Sequence, residues 1–242
     1  SHAVALHDRP GRDREMTYWL QAETARSAWV VAYKVGMLDL ARLALSRMAQ
    51  AAVHSGDPRQ VAIERWLRAQ MTFEGSRVDL GLRIVQQALR DLDDDGDPDT
   101  LAVRGALHLK GAILEARAGR SDASDEWLGE AGEIAKRTGE TRCYELVFGP
   151  VNVQLHQVAA KGDHDEHGQA LKAAHQVRLP EDYPPARAGH YWLDRARAEG
   201  WTARHDDALR SLQVARRVAP EQTRYHPQTR ETVAALLRAR QR

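Results

Sequence analysis

The sequence predicts an all-α protein, built as a solenoid of about five helix pairs and closed by a C-terminal capping helix. Three observations carry this prediction. Apolar residues recur at three- and four-residue steps along almost the whole chain. No stretch shows the sustained apolar and polar alternation, bounded by turn residues, that strands require. The residues that interrupt the helical pattern fall at a near-constant interval, as expected where each helix pair stacks on its neighbours.

In chain order, Met16, Trp19, Leu20, Ala28, Val31 and Val35 mark the first helix. Leu38, Leu40, Ala41, Leu45, Met48 and Ala52 resume the period after Gly36. The first helix of each pair ends near Gly36, Gly75, Gly119, Gly162 and Ala203, positions 39, 44, 43 and 41 residues apart. A second helix follows each: Leu38 to His54, Asp79 to Asp93, Ser121 to Thr138, Asp165 to Val177 and Asp206 to Ala219. The last helix, Pro227 to Arg240, has no partner, so a polar outer face is expected of it.

Composition narrows the function classes. The chain has 242 residues, 35 Lys plus Arg against 34 Asp plus Glu, a formal charge of +1, and is 43% hydrophobic but only 6% aromatic. That balance lacks the cationic excess of a surface given over to nucleic acid or membrane. The single cysteine, Cys143, excludes an intrachain disulfide and a thiolate zinc cluster, which fits a cytoplasmic protein. The longest stretch without charge, Leu146 to Ala160, contains Asn152, Gln154, His156 and Gln157 and is not a lipid-spanning helix. The opening Ser1-His2-Ala3 suggests a tag remnant, so residues 1–13 are expected to be a leader and 14–242 the repeat domain.

The last pair carries a family resemblance. Trp192, Ala196, Ala203, Ala208, Leu212, Ala215 and Pro220 stand where a tetratricopeptide repeat has its aromatic, small, turn, bulky and terminal proline positions. Small side chains at Ala196 and Ala208 let two helices approach closely while Trp192 and Leu212 fill the space between pairs. In the second pair Ala69 and Gly81 take the close-approach positions, and in the third Gly111 and Ala123. Three longer stretches, SAWVVAYKVGMLDLARLALSRMAQAAVHSGDP (27–58), ELVFGPVNVQLHQVA (145–159) and RRVAPEQTRYHPQTRETVAALLR (216–238), resemble the C-terminal region of actinobacterial helix-turn-helix regulators of the Xre type.

The resemblance implies a right-handed superhelix of tetratricopeptide-like pairs that senses an effector. It also implies DNA contact only through a domain missing from this chain, and is compatible with a homodimer that reads paired half-sites. The effector class, small molecule or peptide, stays open. An alternative is an interaction scaffold that binds a peptide or a second copy of itself with no small effector.

Local motifs yield no catalytic residue, cofactor or metal. Asp91-x-Asp93-x-Asp95-Gly96 opens like a calcium loop, but its twelfth position is Ala102 and Pro98 interrupts it. Asp97 and Asp99 are expected to sit by a helix N-terminus, where negative charge is favoured. His164 and His167, beside Asp163, Asp165 and Glu166, lack a sequence-local third ligand and read as a solvated turn. In Gly119-Arg120-Ser121 the strand that a nucleophile elbow needs is absent, and Ser121 is expected to cap the next helix. Arg224, Arg230, Arg238, Arg240 and Arg242 read as the solvated face of the capping helix.

What remains is the inner face. If the repeats superpose, the second, fifth, ninth and twelfth positions of each first helix point inward. Those positions bring up Arg26 and Tyr33; Trp66, Gln70 and Phe73; His108, with Arg104 one step before the register; Asn152 and His156; and His190 and Arg197. Large aromatic and directional polar groups lining a groove are what a small-molecule or peptide site requires.

Overall fold

A computed structural model describes residues 11–75 and 77–240. The leader over residues 1–10, and with it most of the expected 1–13 segment, lies outside the described residues; so do Arg242 and the side chain of Arg240. The first helix already begins at Arg12.

Among the described residues are twelve α-helices and no strand. They are α1 (Arg12–Lys34), α2 (Leu38–Ala52), α3 (Pro58–Met71), α4 (Val78–Asp91), α5 (Pro98–Arg117), α6 (Ser121–Thr138), α7 (Pro150–Asp163), α8 (His167–Gln176), α9 (Pro185–Trp201), α10 (His205–Val218), α11 (Pro220–Tyr225) and α12 (Pro227–Arg240). They pack as sequential pairs, and the chain divides into two compact units, residues 1–110 and 111–242, with the division inside α5.

Each pair is joined by the same device. At the end of the first helix a backbone N–H reaches back five residues to a carbonyl: Met37 to Ala32, Arg77 to Thr72, Arg120 to Glu115, Glu166 to Lys161 and Arg204 to Glu199, at 2.8 to 3.1 Å. This bond needs a left-handed residue just before the donor. Gly36 and Gly119 supply it at φ 80° and 74°, whereas Ala203 adopts φ 59° despite its Cβ. At the fourth joint α7 ends at Asp163, near Gly162 as the sequence reading expects, and the left-handed residue is Asp165 at φ 61°. Gly162 is glycine for another reason, since a Cβ there would lie 2.6 Å from Arg197 Nη2.

In the first unit the core includes the buried apolar residues Ala22, Trp29, Leu45, Met48, Ile63, Leu67, Val85 and Leu107. Ala69 and Gly81 are buried where α3 meets α4, as expected.

In the second unit the same logic holds for α9 and α10, where Ala196 and Ala208 are wholly buried and Leu193, Leu212 and Ala215 close the seam with Trp192 against it. The third pair departs from expectation. Gly111 receives the Trp127 indole, and Ser124, one residue past Ala123, is the close partner, donating its hydroxyl to the Ala112 carbonyl at 2.9 Å. Ser121 is the first residue of α6, and no side-chain cap forms there.

Before α7 the chain makes a loop that periodicity does not reveal. Thr141 and Phe148 form an isolated antiparallel bridge with N–H to O distances of 2.8 and 3.1 Å, and Phe148 is fully buried. The capping helix α12 packs on the last pair through Leu236, and Gln228 Nε2 donates to the Leu193 carbonyl at 3.1 Å. Its outer face is mixed rather than polar, because Val233 and Leu237 are exposed beside Glu231 and Arg238.

Candidate functional site

The predicted inner-face residues fall into two separate sets. In the first unit Tyr33, Trp66, Gln70 and Phe73 converge on Lys110. Gln70 Nε2 donates to the Tyr33 hydroxyl at 2.9 Å and its Oε1 accepts from Lys110 Nζ. The Lys110 ammonium lies 4.4 Å from the Trp66 ring centroid and 5.3 Å from that of Phe73, a cation–π arrangement that holds the charge in a largely dry place. Trp29 stacks on Tyr33 at 4.8 Å, and Trp66 Nε1 donates to the Ala106 carbonyl at 3.0 Å. Lys110 escapes the sequence reading because it stands two residues past His108, on neither inward position counted for α5.

Arg26 stands apart from that cluster. It pairs with Glu23 at 2.5 Å, and Glu23 also accepts from Gln60 Nε2 at 2.7 Å, tying α1 to α3. Arg104 donates to the carbonyls of Leu89 and Leu92, satisfying the C-terminal end of α4. His108 is half-buried one turn farther on.

In the second unit Asn152 is buried and donates to the Val147 carbonyl at 2.6 Å, while His156 Nδ1 lies 2.8 Å from the Asn152 carbonyl. Arg197 and Arg117 both bind Asp163, at 2.8 and 3.0 Å, and His190 meets the His226 ring edge-on at 5.0 Å. The two turn motifs make local contacts. Asp97 Oδ1 accepts the N–H groups of Asp99 and Thr100 at the start of α5, and His167 stacks on Trp201 at 5.3 Å.

Burial sets the proton affinities. It pushes His108 down to about 4, with Arg104 adding to the effect, and pushes His226 down to about 4, helped by Arg117 and Arg197. An unfolded histidine titrates near 6.5, so between these values the unfolded chain binds protons that the native state refuses. The resulting stability is complete above about pH 6.5 and is lost as pH falls toward 4. Asp194 runs the other way: burial raises it to about 6 despite Arg197, so its cost is present above pH 6 and relieved below. His167 is lowered by burial as well, and Glu64 is raised by burial like Asp194. With three histidines against two carboxyls, urea midpoints should fall between pH 7 and pH 5. His226→Gln should flatten that decline, and an unchanged slope in this variant would refute the assignment.

A second feature, on the first hairpin, was not singled out from sequence. α1 and α2 form the walls of an open groove of about 1380 Å³. Its lining includes Leu20, Val31, Val35, Met37, Leu40 and Leu43, with Ala28 and Ala44 between them and Arg47 as its one charged residue. Val31 is 65% exposed and Leu43 58%. α1 therefore carries two apolar stripes: Ala22, Trp29 and Ala32 face the core, whereas Leu20, Val31 and Val35 face outward. Both fall at helical spacings, 7 and 3 residues in the one and 11 and 4 in the other, so periodicity alone cannot say which one is covered.

No family model matches the chain, and no curated protein matches it. Among solved structures, the crystal structure of BtubC (BKLC) from P. vanneervenii aligns at 15% identity over 90% of this chain and 95% of that chain, with a TM-score of 0.49. The five recurring joints between packed helix pairs decide the architecture. This chain is a helical-repeat protein. Among its described residues no helix is long and apolar enough to cross a membrane.

Proposed function

We propose that this helical-repeat protein is an interaction scaffold and that its docking site is the groove between α1 and α2. One observation carries the reading: among the described residues, the outward face of the first pair presents large exposed aliphatic side chains beside small ones, with a single charge in the lining. An uncovered apolar patch of this extent favours a partner that removes it from water, at about 25 cal/mol per Å². The geometry suits the apolar face of a protein helix, whose side chains at i, i+3, i+4 and i+7 enter the spaces over Ala28 and Ala44.

A fluorescein-labelled amphipathic helix with leucines at those four spacings tests the reading by anisotropy. Saturable binding is expected. Leu20→Glu with Leu43→Glu should weaken it by at least about tenfold while leaving thermal stability nearly unchanged, because both residues are surface-exposed. Equal binding by the double variant, or none to the monomeric protein, would reject the groove as a docking site.

The regulatory reading implied by the family resemblance keeps a separate site. An effector of a tetratricopeptide-like sensing region would meet the Tyr33, Gln70 and Lys110 cluster, and an acidic group would suit that ammonium best. Such a ligand has to exchange for bonds already made there, so it must favour a rearranged first unit over the present one.

A further inference from the structure

Resting on the docking reading, we infer that the occupant of the groove is a second copy of this chain, seated with its own α1–α2 face against the first. Three observations support self-pairing over a foreign helix.

The first is supply. Of the thirteen large hydrophobic residues exposed among the described residues, eight lie between Met16 and Val53, so the most apolar surface that the chain offers is the face that needs covering. A patch paired with itself about a two-fold axis also leaves no open end, which is why such contacts close as dimers rather than grow into fibres.

The second is shape. The same face offers large and small side chains together: Leu20 and Val31 on α1 and Leu40 and Leu43 on α2 are large and exposed, and the short Ala28 and Ala44 line the groove with them. Two such faces interdigitate, large side chain against small, and four helices form one packed layer pair.

The third is extent. α1 is 23 residues long, and at 1.5 Å per residue beside a second helix it gives a footprint on the order of 700 Å². A stable complex covers about 800 Å² on each partner. Charge does not oppose the pairing. Arg47 is the single charged residue of the lining, and its exposed, flexible side chain reaches water at the rim.

Sedimentation velocity of the full chain, from low micromolar to about 50 μM, reads the outcome directly, since a micromolar dimer is filled over that range. The expected result is a species of twice the chain mass. Leu20→Glu with Leu43→Glu should raise the dissociation constant at least about a hundredfold, whereas Leu43→Met, which keeps volume and polarity class, should leave it within a fewfold. Circular dichroism and the thermal midpoint of each variant show whether it is folded.

A monomer across the whole range overturns the self-pairing but leaves the docking reading standing if the leucine-faced helix still binds. A dimer that persists in the double glutamate variant places the interface elsewhere and likewise overturns the inference. Displacement of one copy by the labelled helix, seen as monomer accumulating with peptide, supports both.

Discussion

Arg195→Ala is expected to lower the stability of the second unit by about 3 kcal/mol, because it leaves a buried carboxylate without its cation. Glu199 is 1% exposed in the last turn of α9. It holds Arg195 Nε at 2.8 Å through one oxygen and Ser211 Oγ at 2.6 Å through the other, so one side chain links two turns of α9 and crosses to α10. Arg195 also covers the Trp192 ring at 5.2 Å, which adds packing to its charge. The loss therefore has an electrostatic and an apolar part, and a second variant separates them. Glu199→Gln removes the charge but keeps an acceptor for Ser211. Adding Arg195→Ala to that background should cost only about 1 kcal/mol, the value of lost contact over an aromatic. Urea unfolding of the four proteins in this cycle measures the coupling, and additive losses would show that the ion pair contributes little.

The second large effect is expected at Gly111. A Cβ placed there would lie 2.6 Å from Cδ2 and Cε3 of Trp127, far inside contact distance, and the obstacle is a rigid indole between α5 and α6. In an open helix, glycine to alanine stabilises by about 1 kcal/mol. Here the clash reverses the sign. Gly111→Val should cost about 3 kcal/mol, from overpacking plus a displaced indole. Trp127→Ala alone should cost a similar amount by leaving a void. The double variant should lose clearly less than the sum of the two, since the valine then fills space that the tryptophan left. Full additivity would mean that the two residues do not meet.

How far the sequence carried the fold is visible at particular places. Helix, joint and helix were legible wherever the period and a left-handed glycine coincided, as at Gly36 and Gly119, and the start of the last helix at Pro227 follows from proline at the first turn. At the fourth joint glycine marks the helix end but serves another use: Gly162 admits the Arg197 guanidinium, and Asp165 takes the turn. The six-residue helix at Pro220–Tyr225 and the Thr141–Phe148 bridge are too short to generate any period.

The site was harder. Pattern located Tyr33, Trp66, Gln70 and Phe73, yet it missed the lysine that they surround. Arg104 was placed on the inner face, whereas the structure turns it to the end of α4, because a long side chain reaches neighbouring carbonyls that a register count ignores. The groove on α1 and α2 went unnoticed for the opposite reason. Its residues were already credited to a hydrophobic core, and only the packing reveals that one of the two stripes is exposed among the described residues.

The backbone clasp that recurs at Met37, Arg77, Arg120, Glu166 and Arg204 has an evolutionary and kinetic corollary. Each clasp closes over six residues, so the bond that shapes a joint is local in sequence. Chains assembled from such locally joined modules have low contact order and fold fast. Gene duplication is cheap for them as well: adding or deleting one whole module between clasps changes the reach of the protein without rewriting the rules by which any other module closes.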